Sequence, residues 1–147
     1  ILIKGCVFNN GKFTSHGQVY FCDYGLAEYF GDDTKFLCTK YVGKTIYQAP
    51  EVFAKKDIFD ARKADIWSLG VVLGMMLVGS PLYKRASFSD PYFSNVYNGY
   101  LQDMISSWNG DKAMSNSAYD LLNGIFKPEN KRLNIHDIMN HKYLKNV

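Results

Sequence analysis

The chain has 147 residues, 47% hydrophobic and 16% aromatic, with 17 Lys and Arg against 14 Asp and Glu for a formal net charge of +3. That length and apolar content suit one compact unit around one core, and basic residues scattered rather than banked on one face argue against nucleic acid as a partner. Cys6, Cys22 and Cys38 form no CxxC pair, His16, His136 and His141 stand at no zinc-ligand spacing, and the start shows no signal peptide, so a reduced intracellular setting, cytoplasmic by expectation, replaces a disulfide or zinc framework.

Residues 1–22 are expected to form short strands. Ile1 and Ile3 alternate with Leu2 and Lys4, Asn10-Gly11 is a two-residue hairpin turn, and Val19-Tyr20-Phe21-Cys22 is a second strand run that delivers Asp23 to a strand end. From Gly25 to Tyr47 no helical or alternating period is sustained, and Gly31, Asp32, Asp33 and Gly43 favour turns. A loop of that length inside a compact domain is usually functional, or orders on demand.

Asp60 is placed to N-cap a helix over 61–78 whose central residues are apolar on every side, which predicts a buried helix surrounded by others and ended by Pro81. The uncharged stretch from Ile66 to Tyr83 reaches the lower length limit of a membrane span, but Ser68, Gly70, Gly74, Gly79, Ser80 and Pro81 interrupt it and no aromatic belt flanks both ends. No membrane span is expected. Phe93, Val96, Tyr97, Tyr100, Leu101, Met104, Ile105 and Trp108 then recur at helical steps, with Gly99 as a candidate break. Ala118, Leu121, Leu122, Ile125 and Phe126 give a further helix capped by Ser115 or Asn116 and stopped before Pro128, and a last one begins at Asn134 with Ile135, Ile138 and Met139 inward. The expected fold is mainly α-helical, α+β overall, with short β hairpin strands at the front and a central buried helix.

Three motifs carry the chemistry: Asp23-Tyr24-Gly25, Ala49-Pro50-Glu51 and Asp65-Ile66-Trp67-Ser68-Leu69-Gly70. Taken alone, Asp-Tyr-Gly reads as an ordinary turn, Glu51 as a surface charge and Asp65 as a helix cap. A carboxylate at a strand end before a glycine can equally offer a divalent cation a hard oxygen with little steric cost to the backbone.

In this order and at this separation the motifs resemble the back half of a eukaryotic protein kinase domain of the Ser/Thr type, from just after the catalytic loop to the end of the C-terminal lobe. The resemblance runs from Ile1 to about Leu144. It implies that Asp23 binds Mg and thereby the nucleotide, with Tyr24 standing where the family most often has Phe. Residues 25–48 would form the activation and substrate-positioning segment, with Thr39 the best-placed hydroxyl for phosphorylation. Gly43-Lys44-Thr45-Ile46-Tyr47-Gln48 would occupy the stretch that cradles the substrate residue next to the acceptor. The family's threonine five residues before the Ala of Ala-Pro-Glu is here Lys44, followed by Thr45, and the absence of the proline-rich pattern of tyrosine kinases tilts acceptor choice toward Ser and Thr. Glu51 would pair with Arg132 of Pro128-Glu129-Asn130-Lys131-Arg132, Asp65 would accept backbone hydrogen bonds from the catalytic loop, and Trp67 would be a core aromatic.

The 147 residues contain neither GxGxxG nor His-Arg-Asp. The resemblance therefore implies a partial kinase domain over 1–147, with no catalytic base present and the catalytic loop and nucleotide-binding lobe lying upstream of Ile1. The expected function is part of an ATP- and Mg-dependent protein kinase acting on protein substrates, inactive by itself. The alternative is a non-catalytic scaffold derived from such a lobe, with a regulatory protein docking on the Phe93 to Trp108 region. A Ser-His-Asp hydrolase has no GxSxG elbow to stand on.

Overall fold

The computed structural model describes residues 2–4, 8–9, 12–13, 17–31, 36–109 and 114–145. They divide into two compact units, Ile1–Gly31 and Asp32–Val147, where a single unit was expected. The described strands before residue 31 pair only with one another: β1 (Leu2–Lys4) runs antiparallel to β4 (Gln18–Tyr20), and β2 (Phe8–Asn9) to β3 (Lys12–Phe13). The β2–β3 register brackets the expected hairpin turn, although Asn10-Gly11 itself lies outside the described residues. β4 ends at Tyr20, two residues short of the expected strand end at Cys22, so Asp23 stands in irregular chain.

In the second unit, β5 (Leu37–Cys38) pairs with β6 (Phe59–Asp60), a short bridge inside the segment expected to be loop. Between them lies α1 (Pro50–Phe53), with Pro at its first position, where a missing N–H costs nothing. Asp60 accepts from the Arg62 backbone N–H and starts α2 (Ala61–Val78), matching the expected helix in both limits. The helix stops at Gly79, whose φ of 80° only glycine adopts cheaply, two residues before Pro81. One stripe of α2, Ile66, Trp67, Gly70, Val71 and Gly74, is buried, whereas Leu69, Met76 and Leu77 are exposed. The expectation of burial on every side is corrected to burial along one stripe.

The remaining helices are α3 (Pro91–Asn98), α4 (Leu101–Asn109), α5 (Asn116–Ile125), α6 (Ile135–Met139) and α7 (Lys142–Lys145). Gly99, at φ 88°, divides α3 from α4. Ser115 caps α5, and Asn134 caps α6 through a reciprocal box with Asp137. In α6 only Ile138 faces the core; Ile135 and Met139, expected inward, are exposed. A five-residue helix has room for one inward position per turn.

The core gathers Trp67, Phe93, Phe126, Leu82, Leu101, Ile105 and the α5 face Leu121, Leu122 and Ile125, all nearly inaccessible. Trp67 packs edge-on against Phe126 at 5.0 Å between ring centroids. Gly70 lets α2 approach α5 closely, since a Cβ there would stand 2.4 Å from Ile125 Cγ2.

Candidate functional site

Arg132 leaves a tight turn in which the backbone N–H groups of Lys131 and Arg132 both donate to the Pro128 carbonyl. Its guanidinium reaches Glu51, the second residue of α1, in a two-pronged pair: Nη1 to Oε1 at 2.7 Å and Nη2 to Oε2 at 3.0 Å. The side chains are 0% and 6% exposed. Nε also donates to the Lys127 carbonyl at 3.1 Å and Nη1 to the Lys63 carbonyl at 2.6 Å, while the guanidinium carbon lies 4.9 Å from the centre of the Trp67 ring. A desolvated ion pair persists only when its remaining hydrogen-bonding directions are filled, and here the backbone and the indole fill them. Unrelated surface charges is therefore the wrong description of Glu51 and Arg132.

Neighbours that the sequence did not single out reinforce this clasp. Glu129 Oε1 accepts the Asp60 backbone N–H at 2.7 Å and its Oε2 meets Lys56 Nζ at 2.6 Å, which ties the Arg132 turn to the start of α2. The Lys63 ammonium donates to the Arg132 carbonyl. Their only advance signal is the position of Glu129 three residues before Arg132.

Trp67 is wholly buried and donates its indole N–H to the Tyr83 hydroxyl at 2.7 Å. Burial pushes the Tyr83 phenol well above its usual range, the Trp67 hydrogen bond and the Arg132 charge offsetting part of that shift. One residue on, Ser68 Oγ donates to the Tyr47 carbonyl at 2.8 Å, so α2 fixes the end of the long loop. Gln48 closes the same segment by donating to the carbonyls of Val42 (3.0 Å) and Gly43 (3.3 Å), and the Tyr47 N–H returns to the Lys44 carbonyl. Thr45 is thereby presented outward on a held turn. Thr39 is also exposed, just beyond β5.

Asp65 falls in the second turn of α2 and is exposed, not sunk into the core. Surrounding protein still raises its carboxyl above the usual range, and among the described residues no side-chain partner compensates. The capping role belongs to Asp60: burial alone would raise that carboxyl, but hydrogen bonds from the Arg62 side chain and backbone hold it below the ordinary value.

Asp23 belongs to the first unit, where every residue from 18 to 29 is exposed. Its φ of 66° is left-handed, a region that Asp tolerates better than most residues, and a turn closes behind it when the Ala27 N–H donates to the Tyr24 carbonyl at 3.0 Å. Tyr24, standing where the family most often has Phe, is 69% exposed and donates its hydroxyl to the Phe21 carbonyl at 3.3 Å. A Cβ on Gly25 would come within 3.5 Å of Asp23 Oδ1; glycine keeps that flank of the carboxylate open. Among the described residues no three His, Cys, Asp or Glu side chains gather into a metal-binding group. A single open carboxylate fits a magnesium ion held mainly by phosphate and water oxygens.

The apolar face picked out between Phe93 and Trp108 packs inward, while Tyr100, Gln102 and Asp103 stay exposed. Phe93, Val96, Leu101, Met104 and Ile105 are buried, because the helical periodicity that marked them out is the signature of packing against the core. Among the described residues no helix is long and apolar enough to cross a membrane.

Comparison with known proteins points to one family. The chain is 30% identical over 131 residues to calcium-dependent protein kinase 20 of Oryza sativa subsp. japonica, covering 85% of this chain and 21% of that protein. It is 33% identical over 126 residues to calcium-dependent protein kinase 1 of the same rice, covering 84% of this chain and 22% of that protein. With cyclin-dependent kinase G-1 of Oryza sativa subsp. indica it shares 28% identity, covering all of this chain and 25% of that protein. The chain thus spans about a fifth to a quarter of the length of these relatives. The profile of the protein kinase domain matches residues 9–144, nearly the whole sequence and all of the Glu51–Arg132 clasp, and the chain belongs to the protein kinase domain family.

Proposed function

We propose that these residues form the helical C-terminal lobe of an ATP- and Mg-dependent kinase that phosphorylates Ser or Thr on protein substrates. The observation that carries the reading is the Glu51–Arg132 clasp, which fastens the end of the long loop to the helical body at the place the motif order demands. Asp23 would be the magnesium ligand, and the ion would neutralise the phosphate charge that develops during transfer. Residues 25–48 would order the protein substrate, with Thr45 on the held turn and Thr39 open to phosphorylation. Asp65 keeps an unpaired, partly desolvated carboxylate that backbone N–H donors of a catalytic loop would satisfy.

The general base and the nucleotide-binding lobe would come from polypeptide upstream of Ile1, since the 147 residues hold neither His-Arg-Asp nor GxGxxG. By themselves they should transfer no phosphate, because positioning and charge stabilisation require all these parts together. Two experiments test the reading. The coding sequence upstream of Ile1 should contain both missing motifs, and the complete polypeptide should phosphorylate protein in a Mg-dependent way that Asp23→Asn reduces by at least about 100-fold. Undiminished transfer by Asp23→Asn would remove Asp23 as the ligand.

A further inference from the structure

The second unit contains an open groove of about 680 Å³ whose walls include Thr45, Phe53, Lys84, Arg85, Asp90 and Tyr92. We propose that this groove selects acidic protein substrates by pairing Lys84 and Arg85 with carboxylate side chains close to the acceptor hydroxyl. The proposal deepens the kinase reading above and rests on it.

The charge balance of the groove is one-sided. Asp90 is 6% exposed, and its carboxylate is turned inward, accepting the backbone N–H groups of Lys84 (2.9 Å), Tyr92 (3.0 Å) and Phe93 (3.4 Å). Those bonds outweigh the effect of burial and hold its carboxyl below the ordinary range. They leave Asp90 engaged with backbone rather than with the two neighbouring cations. Lys84 and Arg85 are exposed and form no ion pair among the described residues. Other charged groups near the groove do not cancel them: Glu51 is held by Arg132, and Lys44, next to Thr45, adds a further exposed cation.

The backbone that carries the two cations is also held in place. The Ser87 N–H donates to the Arg85 carbonyl, the Asp90 N–H to the Ser87 carbonyl, and Asp90 anchors the Lys84 amide. The backbone from 84 to 90 is therefore fixed before any ligand arrives, which lowers the entropy lost on binding. Thr45, from the substrate-positioning turn, forms part of the same groove, so a chain lying along that turn passes within reach of both cations. Phe53, Pro91 and Tyr92 offer it apolar contact. An acidic segment of the substrate is the occupant whose charge this surface complements.

The test uses the complete polypeptide and peptides with a single Ser acceptor flanked on either side by three Glu or by three Gln. Phosphoryl transfer is read as kcat/KM, and binding is read separately by fluorescence anisotropy without nucleotide. The Glu peptides should be preferred by about 5-fold for each exposed pair formed, and the preference should shrink as salt is raised. Lys84→Glu/Arg85→Glu should abolish or invert it with unchanged thermal melting, while Lys131→Glu/Lys145→Glu, a control with the same change in net charge, should leave it intact. Transfer that treats Glu and Gln peptides alike overturns the proposal and leaves the kinase reading standing. Glu-selective binding that the double reversal destroys, in a protein that transfers no phosphate, supports the groove and overturns the kinase reading. No selectivity in either measurement overturns the groove outright.

Discussion

Glu51 and Asp23 are carboxylates in two regions of the molecule with opposite surroundings. In the second unit Glu51 has almost no solvent left and exchanges it for a two-pronged guanidinium that the backbone and Trp67 hold from behind. In the first unit Asp23 sits on a left-handed turn among exposed residues, with an open glycine beside it. The difference separates two uses of one functional group. A carboxylate whose hydrogen bonds are filled by protein contributes to the framework, and one left open remains available to a ligand. Substitutions that remove each should therefore divide cleanly between stability and activity.

The largest stability effect is expected at the clasp. Arg132→Ala strands Glu51 without its partner and leaves the Lys63 and Lys127 carbonyls short of a donor, so it should cost about 3–5 kcal/mol in chemical denaturation, as should Glu51→Ala. The double variant should cost clearly less than the sum, because removing both charges avoids the stranded one. Additive losses would mean that the two residues act independently, whatever their distance.

Next comes the support beneath the clasp. Tyr83→Phe deletes the acceptor of the Trp67 indole N–H, and with both residues buried nothing else among the described residues replaces it. A loss of about 1–3 kcal/mol is expected, without change in the aromatic packing. A loss below about 0.5 kcal/mol would show that water reaches the indole, and the core under Arg132 would be looser than the packing implies.

The helical half of this comparison was largely legible in the sequence. Asp60, Ser115 and Asn134 announce helix starts because a short polar side chain before an apolar run has one strong local use, and Gly99 announces the break between α3 and α4 because a left-handed residue cannot continue a helix. What periodicity does not reveal is which apolar positions find a partner. Leu69, Met76, Ile135 and Met139 have the chemistry of core residues and remain exposed. Periodicity also cannot tell a packing face from a docking face, and the apolar positions from Phe93 to Ile105 turn out to pack. The site was legible where a motif fixes a pair far apart in sequence, as for Glu51 and Arg132. It was not legible where side chains meet backbone outside such helix caps, as for Ser68, Gln48, Glu129 and the Asp90–Lys84 bond, since those carbonyl and amide positions follow from the fold and not from residue type.

A smaller and pH-dependent effect is expected at Asp90. The folded protein holds its carboxyl below the ordinary value, so its stabilising contribution is complete above about pH 4 and is lost as pH falls through the depressed value. Asp90→Ala should cost about 0.5–2 kcal/mol at neutral pH through loss of the cap on α3. Thermal melting between pH 6 and pH 2 should show the variant and the parent protein converging at the acid end. Parallel curves across that range would assign the loss to packing and not to the carboxylate.

The smallest effect on stability belongs to the other side of the comparison. Asp23 is exposed, accepts no ion pair among the described residues, and Asn tolerates its left-handed backbone about as well as Asp does. Asp23→Asn should therefore change unfolding free energy by less than about 0.5 kcal/mol. If Asp23 is the proposed magnesium ligand, the same substitution replaces a charged hard oxygen by a neutral amide, so Mg-dependent nucleotide binding in the complete polypeptide should weaken even though melting does not. Measuring both on one preparation makes the contrast decisive. A destabilising Asp23→Asn would place that carboxylate in the framework alongside Glu51, while a stable variant with impaired Mg-dependent binding would place it with the chemistry.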